Sequence, residues 1–491
     1  MLTKTDYLAF KQCPKAYWLK NNPDQCISKN NSSNSTTIDK GNMVNRVARG
    51  LFPGGNLVNY QSHQKMMQET NELISKGVSI IYEGTFVYNG LLVRCDILTR
   101  NSDGWHLYEV KSSTRMKAKF LDDLAIQTFV LQNNLPIKSV NLVYLNKEYA
   151  REGKLDLNSL FTIADVTDET AALLPTVDKD IVTMKSIVGQ RSYKYDIGNH
   201  CEKYAKDDNP CIFIDLCWSH IPSYSVFNLA RIGKKKFDLY QSGILKIEDI
   251  PDEYKLTKTQ QIQVTALKEN KDIINKAVIT EFMSQFHFPL YFLDFETFQQ
   301  PIPLFKGVKP YQQIPFQYSL HILEDENSLE EHREFLATAG KDPRRDLAER
   351  LVEDIPLDVC SIVYNQKFEK MVLKNLAESF PDLADHLMNI HDNIVDLMIP
   401  FEKKWVYRNE MKGSSSIKNV LPALLPGIAE LDYHKLTIQN GSMAMEVYET
   451  LHLRTPEEIE TIRTDLLSYC KLDTIAMVRL WQKLAEIRHD E

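Results

Sequence analysis

The stretch Trp105–Thr114, WHLYEVKSST, sets an acid and a base two residues apart inside an apolar, β-prone run. Side chains alternate faces along a strand, so Glu109 and Lys111 project together, where a half-buried strand normally carries apolar groups. The preceding run LLVRCDILTR, Leu91–Arg100, reads as a second strand, joined to the first through NSDG at Asn101–Gly104. A turn centred on Ser102 and Asp103 sets Asp96 opposite Glu109; one centred on Asp103 and Gly104 sets it opposite Lys111. Either register gathers Asp96, Glu109 and Lys111 on one face, and only an odd-length loop or a bulge parts them. Two carboxylates across a hairpin can share a Mg²⁺ or Mn²⁺ ion that activates water and neutralises charge developing on a phosphate, while the lysine orients the nucleophile. The plainer use of the same residues is a cross-strand salt bridge, worth about 1 kcal/mol or less when exposed.

At 491 residues the chain exceeds one ordinary core, which predicts two or three domains. A hydrophobic content of 43% and a charged content of 25% are those of a soluble globular protein. The opening MLTKTDYLAF lacks the apolar core of a signal peptide, and no run approaches the roughly 18 apolar residues of a membrane span, so a cytoplasmic protein is predicted. In a reducing compartment the eight cysteines are expected to be free, catalytic or metal-bound rather than disulfide-paired, and Asn34 in NST is not a glycosylation site. The net charge of −8 argues against coating nucleic acid by bulk electrostatics. It leaves room for a nuclease, whose carboxylates are offset by cations and whose basic residues need only line a local track. Two runs qualify, Lys111 with Arg115, Lys117 and Lys119, and Lys234–Lys236, although solvated faces carry such runs too.

KNNSSNSTT (29–37) and FPGGN (52–56) break the chain as polar loops. Between Ile80 and Ser112 the β-branched and aromatic residues predict consecutive strands, LDDLAIQTFVLQNN a helix, and SVNLVYLN another buried strand. Residues 223–288 are lysine-rich and helical in pattern, and FPLYFLDFETF then opens a new apolar strand. The predicted division is 1–222, 223–288 and 289–491.

The last third holds a second acidic constellation. In YFLDFETF, Asp294 and Glu296 share a strand face at the end of an apolar run, where charge is costly without a partner. In LLSYCKLDTIAM, Tyr469 and Asp473 are four apart in a helical pattern and so neighbours on one helix face. Between them, IVYNQKFEKMVL carries Asn365, Phe368 and Glu369 just after a short apolar strand. Convergence of Asp294, Glu296, Glu369 and Asp473 would build a two-metal site gripping the attacking and leaving oxygens of a phosphodiester.

Two family resemblances follow from these motifs. Asp96, a dozen residues, then Glu109-Val-Lys111 resembles the PD-(D/E)XK core of RecB-like nucleases, and YLAFKQCPKAYWL resembles the opening of the iron-sulfur members, CRISPR-associated exonucleases included. The resemblance implies a restriction-endonuclease-like αβ domain with Gln127 as a further site residue. The chain departs from that pattern at Asn45, where the family has a metal-ligating histidine, and in lacking the tyrosine after the glutamine. Three clustered cysteines, Cys201, Cys211 and Cys217, with the distant Cys13, resemble the family's ligand set for a [4Fe-4S] cluster. Zinc and buried thiols are the alternatives, and no C-x₂₋₄-C pair favours zinc. Cys26, Cys95, Cys360 and Cys470 read as plain buried thiols. The order D-x-E, N-x-x-F-E, Y-x-x-x-D in residues 289–485 resembles the DnaQ-like 3′ to 5′ exonucleases of the ribonuclease H fold, tyrosine variant, with Glu369 standing where the family has aspartate. It implies that Tyr469 positions the attacking water. The pairing of the two domains resembles that of an uncharacterised bacterial family.

The expected protein is thus an α/β, metal-dependent nuclease acting on DNA or RNA, with single strands or free ends as the substrates the resemblance implies. A non-cutting first domain that grips nucleic acid, and a non-catalytic binding component, are the rival expectations. Three serines before IKNVLPALLP (Ser414–Ser416) signal a helix cap that could also hold phosphate, and SGILKIEDIP an interdomain turn or a phosphate-gripping hairpin between helices. Asp396 could support the site or cap a helix. His63, His106, His220 and His391 lack ligand spacing.

Overall fold

The computed structural model describes residues 1–25, 35–201 and 211–489. Cys26, Asn34 and most of the polar loop at 29–37 lie outside them. The chain is mixed α/β and forms two compact units, residues 1–220 with 300–312, and residues 221–299 with 313–491. The lysine-rich segment 223–288 therefore groups with the second unit, and a short excursion at 300–312 groups with the first.

The first unit carries a mixed sheet of seven strands: β1 (Leu2–Thr3), β2 (Asn56–Leu57), β3 (Ile80–Tyr88), β4 (Leu91–Asn101), β5 (Gly104–Lys111), β6 (Ile137–Leu145) and β7 (Phe161–Asp165). The order is β2-β3-β4-β5-β6-β7, with β1 parallel to the start of β4. The β4–β5 hairpin pairs Ile97 with Tyr108 and Asn101 with Gly104, the register of a turn centred on Ser102 and Asp103. Leu142 and Val143 of β6 are adjacent and both fully buried, which requires cover on both faces of the sheet. The helix Ala118–Leu131 supplies one cover, packing Leu124, Ile126 and Val130 with Leu107, and the helix Ser35–Ala48 supplies the other, packing Val44 and Ala48 with Ile97 and Val143.

After the two-residue strand β8 (Ile273–Ile274), the second unit centres on a five-stranded sheet of β9 (Leu290–Phe298), β10 (Ile314–Leu323), β11 (Glu331–Leu336), β12 (Cys360–Val363) and β13 (Ile394–Asp396), in the order β11-β10-β9-β12-β13. The β9–β10 and β10–β11 pairs are antiparallel; β9–β12 and β12–β13 are parallel. Strand alternation sorts β9 into two sets. Tyr291, Leu293 and Phe295 bury against the helices Arg344–Asp354, Gln366–Ser379 and Ala384–Asp392. Phe292 faces Trp481 of the long helix Pro456–His489, ring to ring at 6.5 Å, so Asp294 and Glu296 point toward that helix too. A smaller apolar cluster, including Leu229, Leu239, Ile247 and Val264, holds the lysine-rich segment together. SGILKIEDIP spans its turn between the helix Lys235–Gln241 and a 3₁₀ turn at Ile247–Asp249. Among the described residues no helix is long and apolar enough to cross a membrane.

Because Leu293 is fully buried at the centre of β9, Leu293→Ala is expected to cost about 2–5 kcal/mol. Urea denaturation followed by circular dichroism checks this, and an unshifted midpoint would contradict the packing described.

Candidate functional site

The face of β9 that meets the helix Pro456–His489 carries acids where its earlier residues are aromatic. One carboxylate oxygen from each of Asp294, Glu296 and Asp473 lies within 4.8 Å of the other two. The four-residue spacing of a helical turn does the rest: Tyr469, Cys470 and Asp473 fall on the turn facing the strand, and the Cys470 sulfur lies 3.7 Å from Asp294 Oδ2. Tyr433, in a short 3₁₀ turn, donates its hydroxyl to Asp473 Oδ1 at 2.6 Å. The acids and Tyr469 line a cavity of about 420 Å³.

Burial raises every acid of this group, and repulsion from neighbouring carboxylates adds to it for Asp294 and Glu296. Asp294 is pushed well above the usual carboxylate range by burial and then by Asp473, Glu296 and Glu369. Burial and Asp473 push Glu296 up to about 8, against the pull of Lys418. Burial lifts Asp473 to about 6, moderated by the Tyr433 hydroxyl and by Lys418. The Tyr469 phenol is raised by burial and then by Asp473, so it stays protonated. Such a group holds more negative charge than its surroundings balance, which is the electrostatic condition a cation relieves.

Glu369 lines the same cavity and its charge acts on Asp294 and Glu296, while its oxygens fall outside the 4.8 Å grouping of the trio. Its helix, Gln366–Ser379, packs on the opposite face of β9 from the other acids, so Glu369 reaches the cavity only from the helix's first turn. It is 3% exposed, its Oε2 has no hydrogen-bond partner, and burial pushes it up to about 8. Asp396 caps that helix. Its Oδ1 accepts the backbone N–H groups of Asn365 and Met398, each at 3.0 Å, and its Oδ2 that of Gln366 at 3.1 Å. These bonds hold Asn365 in the left-handed region, φ +81°, and thereby set the direction in which Glu369 leaves the strand end. Ser416 occupies the cap position of the helix Ile417–Leu424 but makes no side-chain cap bond, so that expectation is corrected; Ser414 Oγ instead accepts the Ser416 N–H at 3.1 Å.

In the first unit, Asp96, Glu109 and Lys111 do share one locality. Asp96 Oδ2 accepts the Val110 N–H at 2.7 Å across the hairpin, and burial with the nearby Glu109 pushes Asp96 up to about 8. Glu109 is 2% exposed, and its Oε1 receives both Lys111, at 2.7 Å, and Lys4, at 2.9 Å, while its Oε2 has no partner. Lys111 also pairs with Asp123, and Lys4 lies 3.2 Å from Asp123 Oδ1. Burial works against ionised Asp123, but Lys111 and Lys4 outweigh it and hold the carboxyl low. Gln127 donates to Asp123 Oδ1 at 2.9 Å, so it buttresses Asp123. Asn45 accepts from Arg49 Nε at 3.1 Å, and Arg49 pairs with Glu83 at 2.6 Å.

Cys13, Cys201, Cys211 and Cys217 line one small cavity beside Ala16 and Phe213. Among the described residues no two cysteines form a disulfide. Burial pushes the Cys13 thiol up to about 11, and Cys201 and Cys211 add to it through their proximity. Cys95 and Cys360 are buried as plain thiols; Cys470 is buried too but belongs to the acidic site.

The sequence patterns single out neither Lys4 and Asp123 in the first unit nor Lys418 and Tyr433 in the second. Asp123 had a usable signal, its place four residues before Gln127 on one helix face. Lys4, Lys418 and Tyr433 reach their sites only through tertiary packing.

Residues 291–416 match a family described as Domain of unknown function (DUF2779), a span that holds Asp294, Glu296 and Glu369 and ends before Asp473. The chain is similar to the uncharacterised protein MG366 of Mycoplasma genitalium, 26% identical over 208 residues, covering 38% of this chain and 31% of that protein. It is also similar to the uncharacterised protein UU173 of Ureaplasma parvum serovar 3, 24% identical over 313 residues, covering 59% of this chain and 44% of that protein. The chain thus spans less than half the length of these curated relatives. A solved structure titled "Crystal structure of SSO0001" is similar at 13% identity and a TM-score of 0.25, over 45% of this chain and 87% of that chain. What the chain resembles therefore includes the strand that carries Asp294 and Glu296, within a family whose description states no activity.

Proposed function

We propose that the second unit is a DnaQ-like exonuclease of the ribonuclease H class, hydrolysing phosphodiester bonds of DNA or RNA from a free 3′ end with Mg²⁺ or Mn²⁺. The observation that carries this reading is the meeting of Asp294, Glu296 and Asp473 within 4.8 Å, from a strand and a helix far apart in sequence, in a cavity large enough for a nucleotide phosphate. The partnerless Glu369 Oε2 at the cavity wall fits the same chemistry. The strand order, with β9 central between an antiparallel hairpin and two parallel strands, supports the fold assignment.

A divalent cation bound by the trio would supply the positive charge that polarises the phosphate and eases deprotonation of water. Tyr433 fixes the orientation of Asp473 through its 2.6 Å hydrogen bond. Tyr469, kept protonated by burial and by Asp473, lines the cavity beside Asp473 and would orient a water held there. Asp396 keeps Glu369 aimed inward by capping its helix.

For the first unit we read a RecB-like nucleic-acid module with a [4Fe-4S] cluster on Cys13, Cys201, Cys211 and Cys217. Four thiols on one cavity support a shared ligand, and the sequence lacks the C-x₂₋₄-C pairs that structural zinc sites usually carry, which favours a cluster over one zinc ion. That module grips nucleic acid without cutting it, a reading favoured by Lys4 and Lys111, which already supply two positive charges to Glu109 and Asp123.

Asp294→Ala is expected to abolish Mn²⁺-dependent degradation of labelled DNA and RNA strands, and Asp96→Ala to leave it within about threefold. Loss of degradation in Asp96→Ala alone would reverse the assignment of the two units. Anaerobically purified protein should carry iron and sulfide, and zinc without iron would remove the cluster.

The raised carboxyls also give a pH signature. Folding holds protons on Glu296 and Asp473 that the unfolded chain, with carboxyl pKa values of about 4, has already released. Stability of the metal-free protein is therefore expected to fall as pH rises from about 4 toward about 8, and Mn²⁺, by favouring the ionised carboxylates, to restore it increasingly over the same range. Thermal melts with and without Mn²⁺ check the sign, and a Mn²⁺ effect independent of pH would contradict it.

A further inference from the structure

The resemblance of Asp96, Glu109 and Lys111 to a nuclease core implies a divalent cation in the first unit, but the residues around those acids do not fit one. Lys4 opens the helix Lys4–Gln12 and lies 105 residues from Glu109 in sequence. Its ammonium is 2.9 Å from Glu109 Oε1 and 3.2 Å from Asp123 Oδ1, and it feels the charge of Asp96 as well. Burial alone would lower that ammonium, but Asp123, Glu109 and Asp96 outweigh it and hold it well above its usual range. The backbone beneath it is fixed. Leu2 and Thr3 pair with Leu91 and Leu92, Thr3 and Asp6 form a capping box, and Tyr7 and Phe10 of the same helix are buried in the core.

The oxygens that an ion would need are already taken. Glu109 Oε1 receives Lys111 as well as Lys4, and Asp96 Oδ2 accepts the Val110 N–H. Asp123 takes Lys4 and Gln127 on Oδ1 and Lys111 on Oδ2. The charges balance too. Burial and Glu109 raise Asp96 to about 8, so at neutral pH it carries a proton, which sets Lys4 and Lys111 against Glu109 and Asp123. A divalent ion entering this arrangement has to expel a cation already there. Access is not the obstacle, because Lys111 and Asp123 line a cavity of about 330 Å³ together with Thr5, the neighbour of Lys4 in the chain.

We propose that the Lys4 ammonium takes the place of a divalent cation in the first unit, so that Asp96, Glu109 and Asp123 bind no metal ion while Lys4 is present. The inference rests on the reading of this unit as one that grips nucleic acid without cutting it, and supplies the cause. Without Lys4, Glu109 Oε1 keeps Lys111 alone, Glu109 Oε2 is still buried and unpartnered, and the cluster holds surplus negative charge for a cation to neutralise.

The test counts ions. Mn²⁺ bound by the full-length protein is titrated by electron paramagnetic resonance for the wild type, Asp96→Asn, Lys4→Met and the double variant Lys4→Met/Asp96→Asn; differences between them remove the ions held by the second unit. Wild type and Asp96→Asn are expected to bind equal numbers, Lys4→Met to bind one ion more, and the double variant to lose it again. In thermal melts Mn²⁺ is expected to raise the Tm of Lys4→Met by more than that of the wild type. One ion fewer in Asp96→Asn than in the wild type overturns the proposal, and so does a folded Lys4→Met that gains none. Should circular dichroism show Lys4→Met unfolded, the comparison of wild type with Asp96→Asn decides by itself. Degradation by Asp96→Asn at the wild-type rate upholds the non-cutting reading whatever the ion count, so the two can fail separately.

Discussion

Three carboxylates buried side by side are the constraint around which the second unit is arranged. Each loses hydration on burial and Asp473 raises both Asp294 and Glu296, so the cluster persists only because the strand and the long helix that carry it are fixed by other contacts. Those contacts are apolar: Phe292 against Trp481 on the shared face, and Tyr291, Leu293 and Phe295 against three helices on the opposite face. The packing of β9 therefore underwrites an electrostatic arrangement that is unfavourable by itself. A polar brace, the Gln317 amide donating to the Leu466 carbonyl at 2.9 Å, ties the neighbouring strand to the same helix one turn before Tyr469.

The two units balance buried acid in different ways. In the first, Lys4 and Lys111 converge on a single oxygen of Glu109 and both reach Asp123, so the buried acids and bases form one compact ion network. Lys4 can do this because its backbone is anchored on either side, by the pairing of Leu2–Thr3 with β4 and by the Thr3–Asp6 capping box. In the second, one lysine, Lys418, acts on the acids, and it is held by tyrosine rings and a carbonyl rather than by a carboxylate at contact distance. Similar acids in similar strand positions thus differ in what they leave unbalanced. That difference is the physical ground for proposing cation chemistry in the second unit and a binding role for the first.

Backbone geometry contributes at one point. Asn365 sits in the left-handed region between β12 and the helix that bears Glu369, and the Asp396 carboxylate stabilises it with bonds to N–H groups on both sides of the turn. A strained residue stabilised next to a cavity is how a helix start can be turned toward a site that its own packing face avoids.

Local order in the chain was enough to determine the strands of the first sheet, the helix at Ala118–Leu131, the apolar strand β9 and the pairs Glu109/Lys111, Asp294/Glu296 and Tyr469/Asp473, because each depends on a period of two or of about four residues. It narrowed the β4–β5 hairpin to two registers, and the turn at Ser102 and Asp103 chose between them. Convergence of the acids was expected from motif order, but a sequence does not say on which face of β9 the helix bearing Glu369 packs, so its approach to the cavity from the helix's first turn was not legible. Lys4, Asp123, Lys418 and Tyr433 were decided by tertiary structure alone. Their partners lie far along the chain or across a turn with no period to read, and their roles come from where burial forces charges and hydroxyls to find one another.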